Sequence, residues 1–178
     1  MIHVLVVDDS PVSRALIKRI LESDPQIRVV GVASHGREAV DLVLSESPDV
    51  VTMDIHMPVM DVYQATREIM ETQPLPIVIV SASWNPRDVE RTFRAVEAGA
   101  VAFLEKPRGI GHPDFEEAAG RVLKTVKSMS KVKVVTASST SSGEIPGSLD
   151  MEVRKLTAAR CSIWTPLGFP VEPDEKMT

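Results

Sequence analysis

A single cysteine among 178 residues, Cys161, leaves no partner for an internal disulfide and no Cys/His spacing that would hold a structural metal. No run approaches the roughly 18 consecutive apolar residues needed to cross a bilayer, which argues against a membrane partner. The opening Met1-Ile2-His3 lacks the basic residues and apolar stretch of a secretory leader. These absences lead to the expectation of a cytoplasmic, reducing setting. A basic excess is also missing. The net charge of −5 excludes a nucleic-acid binder that works through a basic surface alone, so no nucleic-acid partner is expected. What remains, 43% hydrophobic and 25% charged residues, is the balance of a folded globular chain.

The charge is unevenly placed. From Lys131 onward there are 6 Lys and Arg and 6 Asp and Glu, so the whole −5 belongs to residues 1–130. Composition changes at the same point. The run Thr136 to Gly143 is polar and of low complexity, with Pro146-Gly147 after it, and such a stretch buries too little apolar surface to order itself. Leu149, Val153, Leu156 and Ile163 recur at loosely helical spacing before Pro166, Pro170 and Pro173 break the pattern. The expected organisation is one domain over residues 1–130, then a Ser/Thr-rich linker and disordered tail over 131–178.

Within residues 1–130, short apolar runs alternate with amphipathic segments. His3 to Val7 is β-branched and apolar enough to be buried on both faces of a sheet. Similar runs occur at Val29–Ala33, Val50–Met53, Ile77–Val80 and Val101–Leu104. Ser10 is a natural N-cap with Pro11 at the first helical position; Asn85 and Pro86 repeat the device before a helix over Asp88–Ala98. Gly99 suits a left-handed residue ending that helix, and a fifth helix is expected from near Pro113 towards Met129. Five strands alternating with five helices predict an α/β fold, a doubly wound parallel five-stranded sheet with right-handed crossovers.

In such sheets chemistry collects beyond the carboxyl ends of the strands. The first strand runs into Asp8-Asp9, the third into Asp54, the fourth into Ser81, and the fifth into Glu105-Lys106-Pro107. With the flavodoxin-like order 2-1-3-4-5, three carboxylates converge and repel, and at least one pKa must rise. A divalent cation with Lys106 balances the charge, and hard oxygen ligands suit Mg²⁺. Asp54 is then a candidate nucleophile in phosphoryl transfer, with Lys106 and the Ser81 hydroxyl stabilising the transferred oxygens. A cis Lys106-Pro107 bond, costing about 0.5–1 kcal/mol, is expected as one way to aim the lysine.

These residues resemble the receiver domain of two-component response regulators, most closely the N-terminal receiver of chemotaxis protein-glutamate methylesterases. The motifs are Val4-Leu5-Val6-Val7-Asp8-Asp9-Ser10, Pro48 to Asp54, Met57-Pro58-Val59-Met60-Asp61, Ala98-Gly99-Ala100 and Glu105-Lys106-Pro107. The resemblance covers residues 1–135, with Val132 to Val135 similar to that family's entry into its linker. It implies that Asp54 is phosphorylated by a histidine kinase. It implies further that Asp9, Asp54 and the His56 carbonyl ligate Mg²⁺ and that Asp8 acts through a metal-bound water. Ser81 and Phe103 are implied as switch residues that rebuild the face of helix four, strand five and helix five for a downstream target. A homodimer is left open.

The chain departs from the family pattern at Val62, where the family has glycine after Met-Asp. If that position needs φ > 0, a β-branched residue there is strained by about 1–3 kcal/mol. His56 stands where the methylesterase branch usually has an acid. The serine esterase domain that the resemblance implies has no counterpart, since no Gly-x-Ser-x-Gly elbow occurs in this sequence.

Taken singly, each residue has a plainer reading: acids before a helix N-terminus for Asp8 and Asp9, a loop acid for Asp54, a strand-end cap for Ser81, a solvated lysine for Lys106, a core aromatic for Phe103. Three other functions stand beside the receiver: a metal-dependent phosphohydrolase using an aspartyl phosphate, a flavin or nucleotide module, and a degenerate receiver acting without phosphate. Adjacent Asp8-Asp9 disfavours the first two, because the dehalogenase-type site spaces its acids Asp-x-Asp and a phosphate cradle wants glycine there.

Overall fold

A computed structural model describes residues 1–82 and 98–134. Its five strands are β1 (Ile2–Val7), β2 (Ile27–Ala33), β3 (Val50–Met53), β4 (Ile77–Ser81) and β5 (Ala102–Glu105). They form one parallel sheet in the order β2-β1-β3-β4-β5, as expected. The described helices are α1 (Pro11–Glu22), α2 (Gly36–Glu46), α3 (Val62–Thr72) and α4 (Phe115–Met129). The last of these is the expected fifth helix. The expected helix over Asp88–Ala98, with its Asn85-Pro86 start, lies largely outside the described residues, as does the tail from residue 135, including Cys161.

The central strands are buried on both faces. Along β1, Val4 and Val6 join the core beneath α1 and α4, while Leu5 and Val7 join the core beneath α2 and α3. The same alternation runs through Val50 and Val51 on β3 and through Ile77 to Val80 on β4. Each such aliphatic side chain, removed from water, contributes roughly 1.5–3 kcal/mol of transfer free energy.

Local chemistry starts each helix. Ser10 accepts from the Ser13 N–H with Pro11 at the first helical position. His35 caps α2 through Nδ1, and Glu38 reaches back to the backbone N–H and hydroxyl of Ser34. Asp61 caps α3 by accepting from the Gln64 N–H at 2.8 Å. Gly99 adopts φ 119, the left-handed conformation expected of it. Ion pairs join neighbours within each helical layer at the surface: Arg37 with Glu68 between α2 and α3, and Lys127 on α4 with Asp24 just after α1. After α4 the chain leaves that helix's face, and Val134 packs against the core under α2 and α3.

Gly36, the first residue of α2, is fixed by space. A Cβ there would lie 2.7 Å from the Met60 carbonyl oxygen and 2.9 Å from Ala65 Cβ, so α2 presses directly on the loop after β3. Alanine would gain at most about 1 kcal/mol of helix propensity, whereas forcing backbone apart in a packed core costs about 1–3 kcal/mol. Gly36→Ala is therefore expected to lower stability by about 1–2 kcal/mol, measured as a fall in the urea midpoint.

Candidate functional site

Strand register builds the site. Val7 of β1 pairs with Met53 of β3, so the next residues, Asp8 and Asp54, leave the sheet side by side. The Asp54 N–H donates to the Val7 carbonyl at 2.9 Å and the Asp8 N–H to the Ala33 carbonyl at 3.1 Å, which locks both exits. Asp8 and Asp54 are buried, at 3% and 5% exposure, while Asp9 is exposed. Carboxylate oxygens of all three lie within 4.8 Å of one another.

Lys106 follows β5 and must pass the end of β4 to reach them. The residue there is Ser81, whose carbonyl accepts the Lys106 N–H at 2.7 Å. The ammonium then lies 2.6 Å from Asp8 Oδ2 and 3.2 Å from Asp54 Oδ2. The other oxygens are held by backbone: Asp8 Oδ1 accepts from the Ser10 N–H at 3.0 Å and Asp54 Oδ1 from the Ile55 N–H at 2.8 Å. Ser81 is fully buried, and its hydroxyl has no hydrogen-bond partner among the described residues.

Burial pushes the Asp54 carboxyl above its ordinary value of 3.8, opposed by the charge of Lys106 and reinforced by that of Asp8. One lysine against three carboxylates leaves two negative charges uncompensated. Closely set carboxylate oxygens and an unsatisfied hydroxyl fit a small hard dication, Mg²⁺ above all, with anionic oxygens beside it. The arrangement can therefore present a carboxylate to an electrophilic phosphorus while cations surround the incoming oxygens.

Asp8, Asp9, Asp54 and Lys106 thus come together, with Ser81 at the end of the strand between. His56 is exposed, two residues past Asp54 in the same loop. Phe103 sits on β5 opposite Ile79, partly buried against the core under α2 and α3. Two expectations need correction. The Lys106-Pro107 bond is trans, and the lysine reaches both carboxylates without the cis isomer. Val62 does not occupy a left-handed position: it opens α3, is 1% exposed, and packs in the core. The left-handed residue of this loop is Val59, at φ 66 and 83% exposed.

Sequence reasoning also passed over Arg14, which bonds the backbone carbonyls of Asp8 and Asp9 at 2.6 and 3.0 Å. A signal existed. Arg14 is a cation near the positive end of a helix, where the macrodipole disfavours it.

Residues 4–114 match the model of the response regulator receiver domain. The chain is 53% identical over 148 residues to a protein-glutamate methylesterase/protein-glutamine glutaminase of Nitrosospira multiformis, covering 83% of this chain and 42% of that protein. It thus spans less than half the length of that relative. The crystal structure of the response regulator domain of Thermotoga maritima CheB superposes with a TM-score of 0.67 at 36% identity, covering 75% of this chain and 99% of that one. The receiver domain of the sensor histidine kinase PA1611 of Pseudomonas aeruginosa, with a magnesium ion in its active-site cleft, gives 0.60 at 26% identity over 72% and 97% of the two chains.

Two measurements follow from this geometry. The folded-state pKa of Asp54 exceeds its unfolded value, so the folded protein holds the extra proton and stability from this group falls as pH rises from about 3.8 through the folded pKa. Asp54→Asn, which leaves Lys106 paired with Asp8, is therefore expected to be more stable than wild type at pH 7 without metal. The difference should vanish at acid pH in urea titrations run across that window. In the neighbouring loop, Val59→Asn should stabilise by about 0.5–1 kcal/mol, because asparagine tolerates the left-handed region. Val62→Gly should destabilise by about 2 kcal/mol through lost burial and a glycine in the helix, so thermal melts of the two variants should move in opposite directions.

Proposed function

This chain belongs to the response regulator receiver family, and we propose that it accepts a phosphoryl group on Asp54 from a phosphohistidine of a histidine kinase, with Mg²⁺ bound, as part of a chemotaxis signalling system. The observation that carries this reading is the convergence of Asp8, Asp9 and Asp54, with the Lys106 ammonium bridging Asp8 and Asp54.

In this reading an oxygen of Asp54 attacks phosphorus as the bond from phosphorus to the donor nitrogen breaks, and the departing imidazole keeps its electron pair and takes a proton. Asp8, Asp9 and Asp54, with the His56 carbonyl, would hold Mg²⁺, which when bound neutralises phosphoryl oxygens and orients them. Lys106 already spans Asp8 and Asp54, so it is placed to follow the charge that moves onto the phosphoryl group. The Ser81 hydroxyl, buried and without a partner among the described residues, would acquire one when a phosphoryl oxygen arrives. Burial raises the Asp54 pKa, so a cation bound nearby would act in the opposite direction and favour the ionised, nucleophilic carboxylate.

Output then follows from local rearrangement. Ser81 drawn towards the phosphoryl group vacates space that Phe103 fills, and the surface around β5 and its flanking helices changes for a downstream target. We assign residues 1–130 to this receiver and the residues beyond to a linker and tail. The esterase and glutaminase activity named for the longer relatives belongs, in this reading, to their unmatched portion.

Incubation with acetyl phosphate and Mg²⁺ is expected to add one phosphoryl group to the intact mass of the chain. The adduct should be absent without Mg²⁺ and absent from Asp54→Asn. A folded wild-type chain that gains no adduct would instead mark a receiver that signals without phosphate.

A further inference from the structure

Arg14 has no place in the reading above, yet its contacts lead into the site. Its Nη1 bonds the Asp8 carbonyl at 2.6 Å and the Asp9 carbonyl at 3.0 Å. The Asp9 carbonyl and the Ser10 N–H belong to one rigid, planar peptide unit. That N–H donates to Asp8 Oδ1 at 3.0 Å, while Asp8 Oδ2 takes the Lys106 ammonium at 2.6 Å. A continuous line of contacts therefore runs from the guanidinium, through one peptide, to the carboxylate of Asp8.

Helix energetics do not account for an arginine here. Arg14 lies in the opening turns of α1, where unpaired N–H groups and the macrodipole favour acids, and the first turn of α1 carries none. The guanidinium bonds carbonyl oxygens, with Glu38 the carboxylate whose pKa it helps to lower, and makes no bond to the carboxylates of Asp8 and Asp9. A charge-assisted bond to a carbonyl also polarises its peptide, which strengthens the N–H at the other end as a donor to Asp8.

We infer that Arg14 is a positioning residue for the metal site: by fixing the Asp8–Asp9 and Asp9–Ser10 peptides it sets the geometry of the two acidic side chains that follow β1. The inference rests on the receiver reading for the identity of the cation. It adds a part of the molecule that touches neither metal nor phosphoryl group. Outer partners of this kind typically change metal affinity 10- to 100-fold when removed.

The test is isothermal calorimetry of Mg²⁺ binding to the full 178-residue chain. Arg14→Ala is expected to weaken Mg²⁺ binding by about 10-fold, at the low end for an outer partner. Arg14→Lys keeps the charge and donors for both carbonyls but places them on a shorter side chain without the planar guanidinium, so it should lie between Arg14→Ala and wild type. Ile20→Val, a mild core truncation on the same helix, serves as a stability control and should bind Mg²⁺ like wild type. Labelling by acetyl phosphate should show the same displacement in Mg²⁺ half-saturation, with the plateau rate at saturating Mg²⁺ preserved. Should Arg14→Ala fail to fold, the lysine variant decides the matter. Unchanged Mg²⁺ affinity in the folded Arg14 variants, with wild type binding normally, would overturn the inference and leave the receiver reading standing. A wild-type chain that binds no Mg²⁺ would overturn both.

Discussion

Three carboxylates held within 4.8 Å of each other by the pairing of adjacent strands form the constraint on which the rest of this structure depends. The pairing of Val7 with Met53 leaves Asp8 and Asp54 no freedom to separate. Their repulsion is offset in part by a lysine carried across a neighbouring strand and by backbone N–H groups at Ser10 and Ile55. The compensation is incomplete, and that incompleteness is useful. In the proposed function, full neutralisation would leave nothing for a dication to add, whereas a residual charge of two would make binding and chemistry sensitive to one ion.

The sheet makes such a strained cluster tolerable. With apolar cores on both faces, β1, β3 and β4 are anchored along their length, so the cost of crowding acids at their ends is spread over a large buried surface. The loops above them are secured separately, by the caps of α1, α2 and α3, by the seat of Gly36 against Met60, and by Arg14 beneath the Asp8-Asp9 turn. Rigidity in the framework and tension at its edge are therefore two sides of one design.

Much of this was legible in the chain. Short β-branched runs, four of the five ending on a chemically marked residue, were enough to predict a parallel sheet and to bring Asp8, Asp9, Asp54 and Lys106 to one edge. What escaped was of a different kind. Val4 to Val7 shows no period of two because both faces are apolar, so the division of Val4 and Val6 from Leu5 and Val7 was invisible. Val62 drew suspicion for standing where the family has glycine, but the backbone demand fell on Val59, because Asp61 had already begun the helix. Motif comparison marks which residue is unusual; only backbone geometry marks which residue is strained. Arg14 escaped because its bonds go to carbonyl oxygens, which every residue carries and no pattern of side chains reveals.

The crossing made after α4 has a wider meaning. Helices in such a sheet run against the strands, so α4 ends beside the amino ends of the strands, and Val134 then tucks under the opposite face. A single stretch of chain thereby braces both helical layers: α4 belongs to one core, and Val134, five residues beyond its end, belongs to the other.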